Sequence, residues 1–219
     1  MTVTQQKTVT LAITGASGAQ YGLRLLQCLL AANCRVYLLL SRAAEVVIAT
    51  ETLIVLPPSG QADSVEQQQA FLGDLYEAKV GQLILFSRED WFSPVASGSS
   101  SPASMVICPA SGGTLSSIAC GASNNLIERA ADVALKERRQ LIVVPRETPY
   151  SQVHLENMLK LTQLGAVVLP ASPGFYANAD TIEDLIDFIV ARILDQLDLP
   201  QNLMPRWGEG DDTSERVDD

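Results

Sequence analysis

The stretch that most constrains this chain is Leu11-Ala-Ile-Thr-Gly-Ala-Ser-Gly-Ala-Gln-Tyr-Gly22. Residues 9–13 are apolar, partly β-branched and uncharged, which predicts a strand buried on both faces of a parallel sheet. Gly15, Ala16, Ser17 and Gly18 keep side chains small where the chain turns, and a helix is predicted over 19–32. The helix aims its unpaired N–H groups and the positive end of its dipole above the turn, so the turn is predicted to hold an anion of phosphate size. The alternative reading of the same residues is an ordinary tight turn with small residues for packing. The spacing Gly15, Gly18, Gly22 is not G-x-G-x-x-G, and no lysine stands where a Walker loop needs one, so both common nucleotide fingerprints fail.

The pattern then repeats. Strands are predicted at 35–40, 82–86, 103–108, 141–144 and 166–169, with helices at 42–52, 65–79, 115–121, 124–138 and 152–164. A last helix is predicted to start at Asp180 as N-cap with Glu183 completing a capping box, turning Ile182, Leu185, Ile186, Ile189 and Ile193 inward. This alternation predicts a single-domain α/β fold, a doubly wound parallel sheet of Rossmann or flavodoxin type. The turn Pro109-Ala-Ser-Gly-Gly-Thr114, between a strand and a helix, doubles the anion-site signal. Ligands of such sheets bind beyond the carboxyl ends of the strands, and Ser17, Ser41, Ser111, Thr114, Arg146, Glu147 and Tyr176 all fall there.

Charge decides which ligands to consider. The net charge of −10 argues against nucleic acid and anionic membranes as partners, although half of it lies in the tail, where six acids stand against Arg216. Residues 208–219 are therefore predicted to be a disordered acidic tail and 1–8 a flexible start, leaving one domain over 9–207. Arg129, Lys136, Arg146 and Arg192 stand out in so acidic a chain and predict a site for more than one phosphate. Arg129 and Lys136 are two helical turns apart on one face; a solvated basic stripe is the plain alternative. Residues 87–102, without periodicity and rich in serine, are long enough to predict a functional loop. The four cysteines form no C-x-x-C pair and predict small core residues in a reducing compartment, without a zinc site. With no signal-peptide pattern and no apolar run of transmembrane length, a cytoplasmic protein is expected.

The chain resembles the UbiX family of flavin prenyltransferases, which are related to the flavin-containing cysteine decarboxylases. The resemblance rests on Thr14-Gly-Ala-Ser-Gly-Ala-Gln-Tyr-Gly22, Ala49-Thr-Glu-Thr52, Cys108-Pro-Ala-Ser111 with Thr114-Leu115, and Asn125-Leu-Ile-Glu-Arg-Ala-Ala-Asp-Val-Ala-Leu-Lys-Glu137. It continues through Val144-Pro-Arg-Glu147, His154-Leu-Glu-Asn-Met158, Pro173-Gly-Phe-Tyr176 and Pro205-Arg-Trp207, about residues 9 to 207. The resemblance implies an enzyme that joins the dimethylallyl group of dimethylallyl monophosphate to N5 and C6 of reduced FMN. Its product would be the prenylated FMN used by UbiD-type decarboxylases, as in ubiquinone biosynthesis, and the assembly a homo-oligomer, typically a dodecamer. It further implies that Gly15, Ala16, Ser17, Ser41, Ser111, Gly112, Gly113, Thr114 and Arg146 hold FMN. Tyr176 and Arg192 would hold the prenyl phosphate, with Arg129 and Lys136 reaching it from a neighbouring subunit and Ser97, Gly98 and Trp207 closing the site. Glu51 and Glu147 match acidic residues near the reacting centre.

This set makes chemical sense without a metal, because fixed cations meet the charge that grows on a departing phosphate. Gly112-Gly113 departs from the family's habit of a bulkier residue beside the serine. A flavin-dependent cysteine decarboxylase is the nearest rival, but its turn reads Pro-Ala-Ser-Ala-Asn-Thr and it uses a histidine near the flavin. Here the only histidine, His154, is predicted on a helix away from the Ser97 loop. A non-catalytic flavin carrier would not need the four cations and Tyr176 together. A dinucleotide dehydrogenase would need an acid where Ser41 stands.

Overall fold

The computed structural model describes residues 6–61, 63–176 and 179–204. Its strands are β1 (Thr8–Ile13), β2 (Arg35–Leu40), β3 (Leu83–Phe86), β4 (Ser104–Ala110), β5 (Gln140–Pro145) and β6 (Val167–Val168). All pair in parallel in the order β3-β2-β1-β4-β5-β6, the predicted doubly wound sheet. The helices are α1 (Ala19–Ala31), α2 (Arg42–Glu51), α3 (Ser64–Leu75), α4 (Gly112–Ala119), α5 (Leu126–Lys136), α6 (Gln152–Gln163) and α7 (Ile182–Gln196).

The strands carry no charge apart from the exposed Arg35 that opens β2, so their interiors can be buried without loss of a charge's hydration. Every residue of β4 is buried, and Leu11 of β1 lies in register between Leu38 of β2 and Val106 of β4. α1 packs Leu25, Leu26 and Leu29 out of solvent, and it approaches β4 so closely that a Cβ on Gly22 would run into the Cys108 carbonyl. Leu126, Ala130, Val133 and Ala134 form the buried face of α5, as their spacing predicts. The chain winds from β1 out to β2 and β3, then crosses back to β4 on the other side of β1. The topological switch point therefore lies between β1 and β4, and the crevice beyond their carboxyl ends is where this fold class places ligands.

Several boundaries differ from the predicted ones, each for a local reason. α3 stops at Leu75, short of residue 79, since Glu77 takes a left-handed φ of 52°. β4 runs on through Ala110, and α4 starts at Gly112 with Ser111 as N-cap, so the two glycines belong to the first helical turn. The capping box of α7 sits one residue later than predicted. The Thr181 hydroxyl accepts from Asp184 N–H at 3.1 Å and Asp184 Oδ2 accepts from Thr181 N–H at 2.9 Å, two short side chains closing the box in both directions. Ile182 is consequently 72% exposed and not inward. Of the four free cysteines, Cys34 and Cys108 are core residues, Cys28 is half-buried, and Cys120 is exposed at the end of α4.

The chain divides into two compact units that meet in sequence at Ser172 and Pro173. The second carries α7, and within it Tyr176 meets Phe188 edge-to-face at 5.5 Å. Among the described residues no helix is long and apolar enough to cross a membrane. Trp207, the predicted tail and the first five residues lie outside the described residues.

Candidate functional site

The switch-point crevice is held together by a threonine. Thr14, just past β1, donates its hydroxyl to the Pro109 carbonyl at 2.8 Å and accepts the Ser111 N–H at 2.8 Å. Its own N–H also donates to Pro109, at 3.2 Å. One buried hydroxyl thus couples the two small-residue turns. Arg146, past β5, donates Nε to the Ser17 carbonyl at 2.9 Å and ties the third strand end to the first turn. Ser41 closes the fourth side: its N–H donates to Ile13 and its hydroxyl caps α2 by accepting from Ala44 N–H at 3.0 Å. The structure therefore brings together Gly15, Ala16, Ser17, Ser41, Ser111, Gly112, Gly113, Thr114 and Arg146 on one rim.

The first turn holds a carboxylate of the chain itself. Glu51, the last residue of α2, places Oε2 at the start of α1, where it accepts from Gly18 N–H at 2.8 Å and Ala19 N–H at 3.1 Å. Gly18 reaches this pose with a left-handed φ of 102° that a side chain would strain. Partial burial pushes the Glu51 carboxyl up, yet the Ser17 hydroxyl, the two backbone N–H groups and the Arg146 charge together outweigh it and hold it below its ordinary value. Glu51 is thus an ionised carboxylate fixed at the positive end of a helix.

The second turn is open by contrast. Ser111 Oγ accepts from Thr114 N–H at 3.3 Å and meets the Thr114 hydroxyl at 3.0 Å, while the N–H groups of Gly112 and Gly113 have no acceptor among the described residues. His154 stands beside it. Its Nδ1 accepts from Ser151 N–H at 3.3 Å in the capping box of α6, which puts the proton on Nε2. A Cβ on Gly112 would lie 2.8 Å from that Nε2, so a side chain here would require the imidazole to shift. Beyond β5, Glu147 accepts from Thr148 N–H at 3.0 Å. Tyr150 has its phenol pushed up by burial and by the Glu147 charge, against the pull of Arg146.

The predicted basic stripe forms a separate group on α5. Arg129 donates Nε to the Ala96 carbonyl at 3.1 Å and pairs with Asp132 at 3.0 Å, binding the serine-rich loop to the helix. Lys136 pairs with Glu137, whose carboxylate lies over Gly98. Ser97, Gly98, Arg129 and Lys136 are therefore neighbours within one chain. Arg192, in the second unit, pairs with Asp195 at 2.9 Å, and the structure does not relate it or Tyr176 to the crevice. Among the described residues no three His, Cys, Asp or Glu side chains converge as metal ligands would. Thr14, His154 and Glu137 are the residues that reading the sequence missed. Only the matched motifs containing them hinted at a role.

The Flavoprotein family model matches residues 2–194. A protein described as flavin prenyltransferase UbiX, from Pseudomonas aeruginosa, is 61% identical over 201 residues, 92% of this chain and 94% of that one. A crystal structure of AnUbiX (PadA1) in complex with FMN and dimethylallyl pyrophosphate is 38% identical, with a TM-score of 0.80 over 94% of this chain and all of that one. A dodecameric FMN-dependent UbiX-like decarboxylase from Escherichia coli O157:H7 is 35% identical, with a TM-score of 0.77 over 91% of this chain and 98% of that one.

Proposed function

The chain belongs to the UbiX flavin prenyltransferases, of the Flavoprotein family, and on that premise we propose how its residues divide the work of prenylating FMN. The enzyme is a transferase that uses reduced FMN and dimethylallyl monophosphate and yields prenylated FMN for a UbiD-type decarboxylase. The observation that carries the division is the difference between the two turns. α4 offers N–H groups at Gly112 and Gly113 that have no acceptor among the described residues, with the Ser111 and Thr114 hydroxyls, a cradle that fits an anionic group. At α1 the Gly18 and Ala19 N–H groups are already taken by Glu51. FMN, when bound, supplies the nucleophile.

In this reading Ser41, Ser111, Gly112, Gly113, Thr114 and Arg146 hold FMN, with Gly15, Ala16 and Ser17 packing beneath it. Glu51, kept ionised by α1, presents a fixed negative charge to the reacting edge. Arg129 and Lys136, with Tyr176 and Arg192, hold the donor phosphate and stabilise its charge as the allylic carbon departs, which is the metal's usual task in such transfers. Ser97 and Gly98 close over it. Glu147 receives the proton released at flavin C6. A homo-oligomer, a dodecamer as described for the Escherichia coli relative, supplies the α5 cations to the neighbouring crevice. A cytoplasmic location goes with the four free cysteines.

The test is to mix the protein with reduced FMN and dimethylallyl monophosphate without oxygen, with and without EDTA, and to take the mass of the flavin released. A flavin heavier by one dimethylallyl group, formed equally in EDTA, is expected. Unchanged FMN under both conditions overturns the reading.

A further inference from the structure

The pairing of Lys136 with Glu137 is not what a helix end dictates. Adjacent side chains on a helix diverge, and an acid at the carboxyl end of a helix faces the negative end of the dipole. Glu137 is the C-cap of α5, so local helix energetics disfavour a carboxylate there. It is nonetheless held in one defined place. Its Oε1 is the atom that pairs with Lys136 Nζ, and the same oxygen is the first that a Cβ on Gly98 would strike. One carboxylate oxygen thus stands between the Gly98 backbone and the Lys136 ammonium. The bond from Lys136 and its charge, with a smaller contribution from Arg139, pull the carboxyl below its ordinary value.

The loop is tied to α5 at one point and braced by bonds of its own. Arg129 ties it to α5 through the Ala96 carbonyl, and the Ser97 carbonyl accepts the N–H groups of Ser100 and Ser101 at 3.3 and 3.0 Å. Ser97, Gly98, Arg129 and Lys136 are thus held near one another, and a solvent-exposed carboxylate of this chain already lies against Gly98 and Lys136. The arrangement matches α1, where Glu51 occupies another anion position.

We infer that the Glu137 carboxylate is an internal stand-in for the donor phosphate, and that donor binding exchanges the carboxylate for the phosphate on Lys136. The inference rests on the proposal that Ser97, Gly98, Arg129 and Lys136 hold that phosphate. Three consequences follow from exchange and not from a supporting role. Removing the charge at 137 strengthens donor binding. The gain depends on Lys136. Inorganic phosphate alone, without the prenyl group, shows the same change.

The experiment is titration calorimetry of the assembled, FMN-loaded enzyme with dimethylallyl monophosphate and with inorganic phosphate. The proteins compared are wild type, Glu137→Gln, Glu137→Ala, Lys136→Ala and the double variant Lys136→Ala/Glu137→Gln. Exchange predicts that both Glu137 variants bind either ligand about 2- to 5-fold more tightly, as a surface ion pair is released, and that the gain disappears in the double variant. Because Glu137 is exposed, both substitutions should leave the melting temperature close to that of wild type. Unchanged or weaker binding in the Glu137 variants overturns the exchange and makes the residue a mere support. If Lys136→Ala keeps full donor affinity, the assignment of the phosphate site itself fails, which is a different result.

Discussion

Two strand–turn–helix junctions flank the same crevice and look alike in sequence, yet they are in opposite electrostatic states. At β1–α1 the Gly18 and Ala19 N–H groups are both taken by Glu51, and at β4–α4 the Gly112 and Gly113 N–H groups have no acceptor among the described residues. The difference shows that a small-residue turn ahead of a helix specifies an affinity for negative charge but not its source. A long-range neighbour decides that, here the carboxyl-terminal residue of α2. A filled junction is a rigid, charged wall suited to acting on a substrate, and an open one is a receptor. Thr14 makes the two one object, since the same hydroxyl donates to Pro109 and accepts from Ser111.

The strongest way to break this contrast is Glu51→Gln. If the filled junction serves chemistry, the variant should still bind FMN while the single-turnover rate of adduct formation falls by about 100-fold or more. Loss of FMN binding with an unaltered rate constant would reverse the roles of the two junctions. The complementary change is Ser111→Ala, which should weaken FMN binding by about 10-fold, the worth of a hydrogen bond to a charged group, with the rate at saturating flavin nearly unchanged. Fluorescence quenching of FMN on titration reads this directly.

Glu51 also has a signature in stability against pH. Its folded pKa is depressed, so its contribution to stability is fully present above the unfolded value of about 4.3 and is lost as pH falls through the folded one. Glu51→Gln should lower the melting temperature at neutral pH and flatten the acid limb, with the two proteins converging toward low pH. Parallel curves would mean that the α1 carboxylate contact is not formed in solution. Asp184 and Glu137 are also depressed and share the acid limb in both proteins, so the difference between the curves isolates Glu51.

The smallest expected effect sharpens the open junction. His154→Ala removes one partner of the α6 capping box and should cost about 0.5–1 kcal/mol by chemical denaturation. It also frees the space over Gly112. Gly112→Ala should therefore cost more stability alone than in the presence of His154→Ala, and additive effects would show that the imidazole does not cover the glycine.

Much of this molecule could be read without coordinates. The uncharged strands, the helices with one apolar face and the βα alternation specify the sheet and its carboxyl rim, because burial period and turn chemistry are local properties of the chain. The residues of the two turns, Ser41 and Arg146 were legible for the same reason, as polar groups at strand ends. What sequence did not contain was distance. That Glu51 fills α1, that Thr14 joins the turns, that His154 covers Gly112 and that Glu137 lies over Gly98 are contacts between residues up to 97 positions apart. Electrostatic occupancy is decided by which charge arrives within hydrogen-bonding reach, and only the packing of α2, α5 and α6 against the sheet settles that.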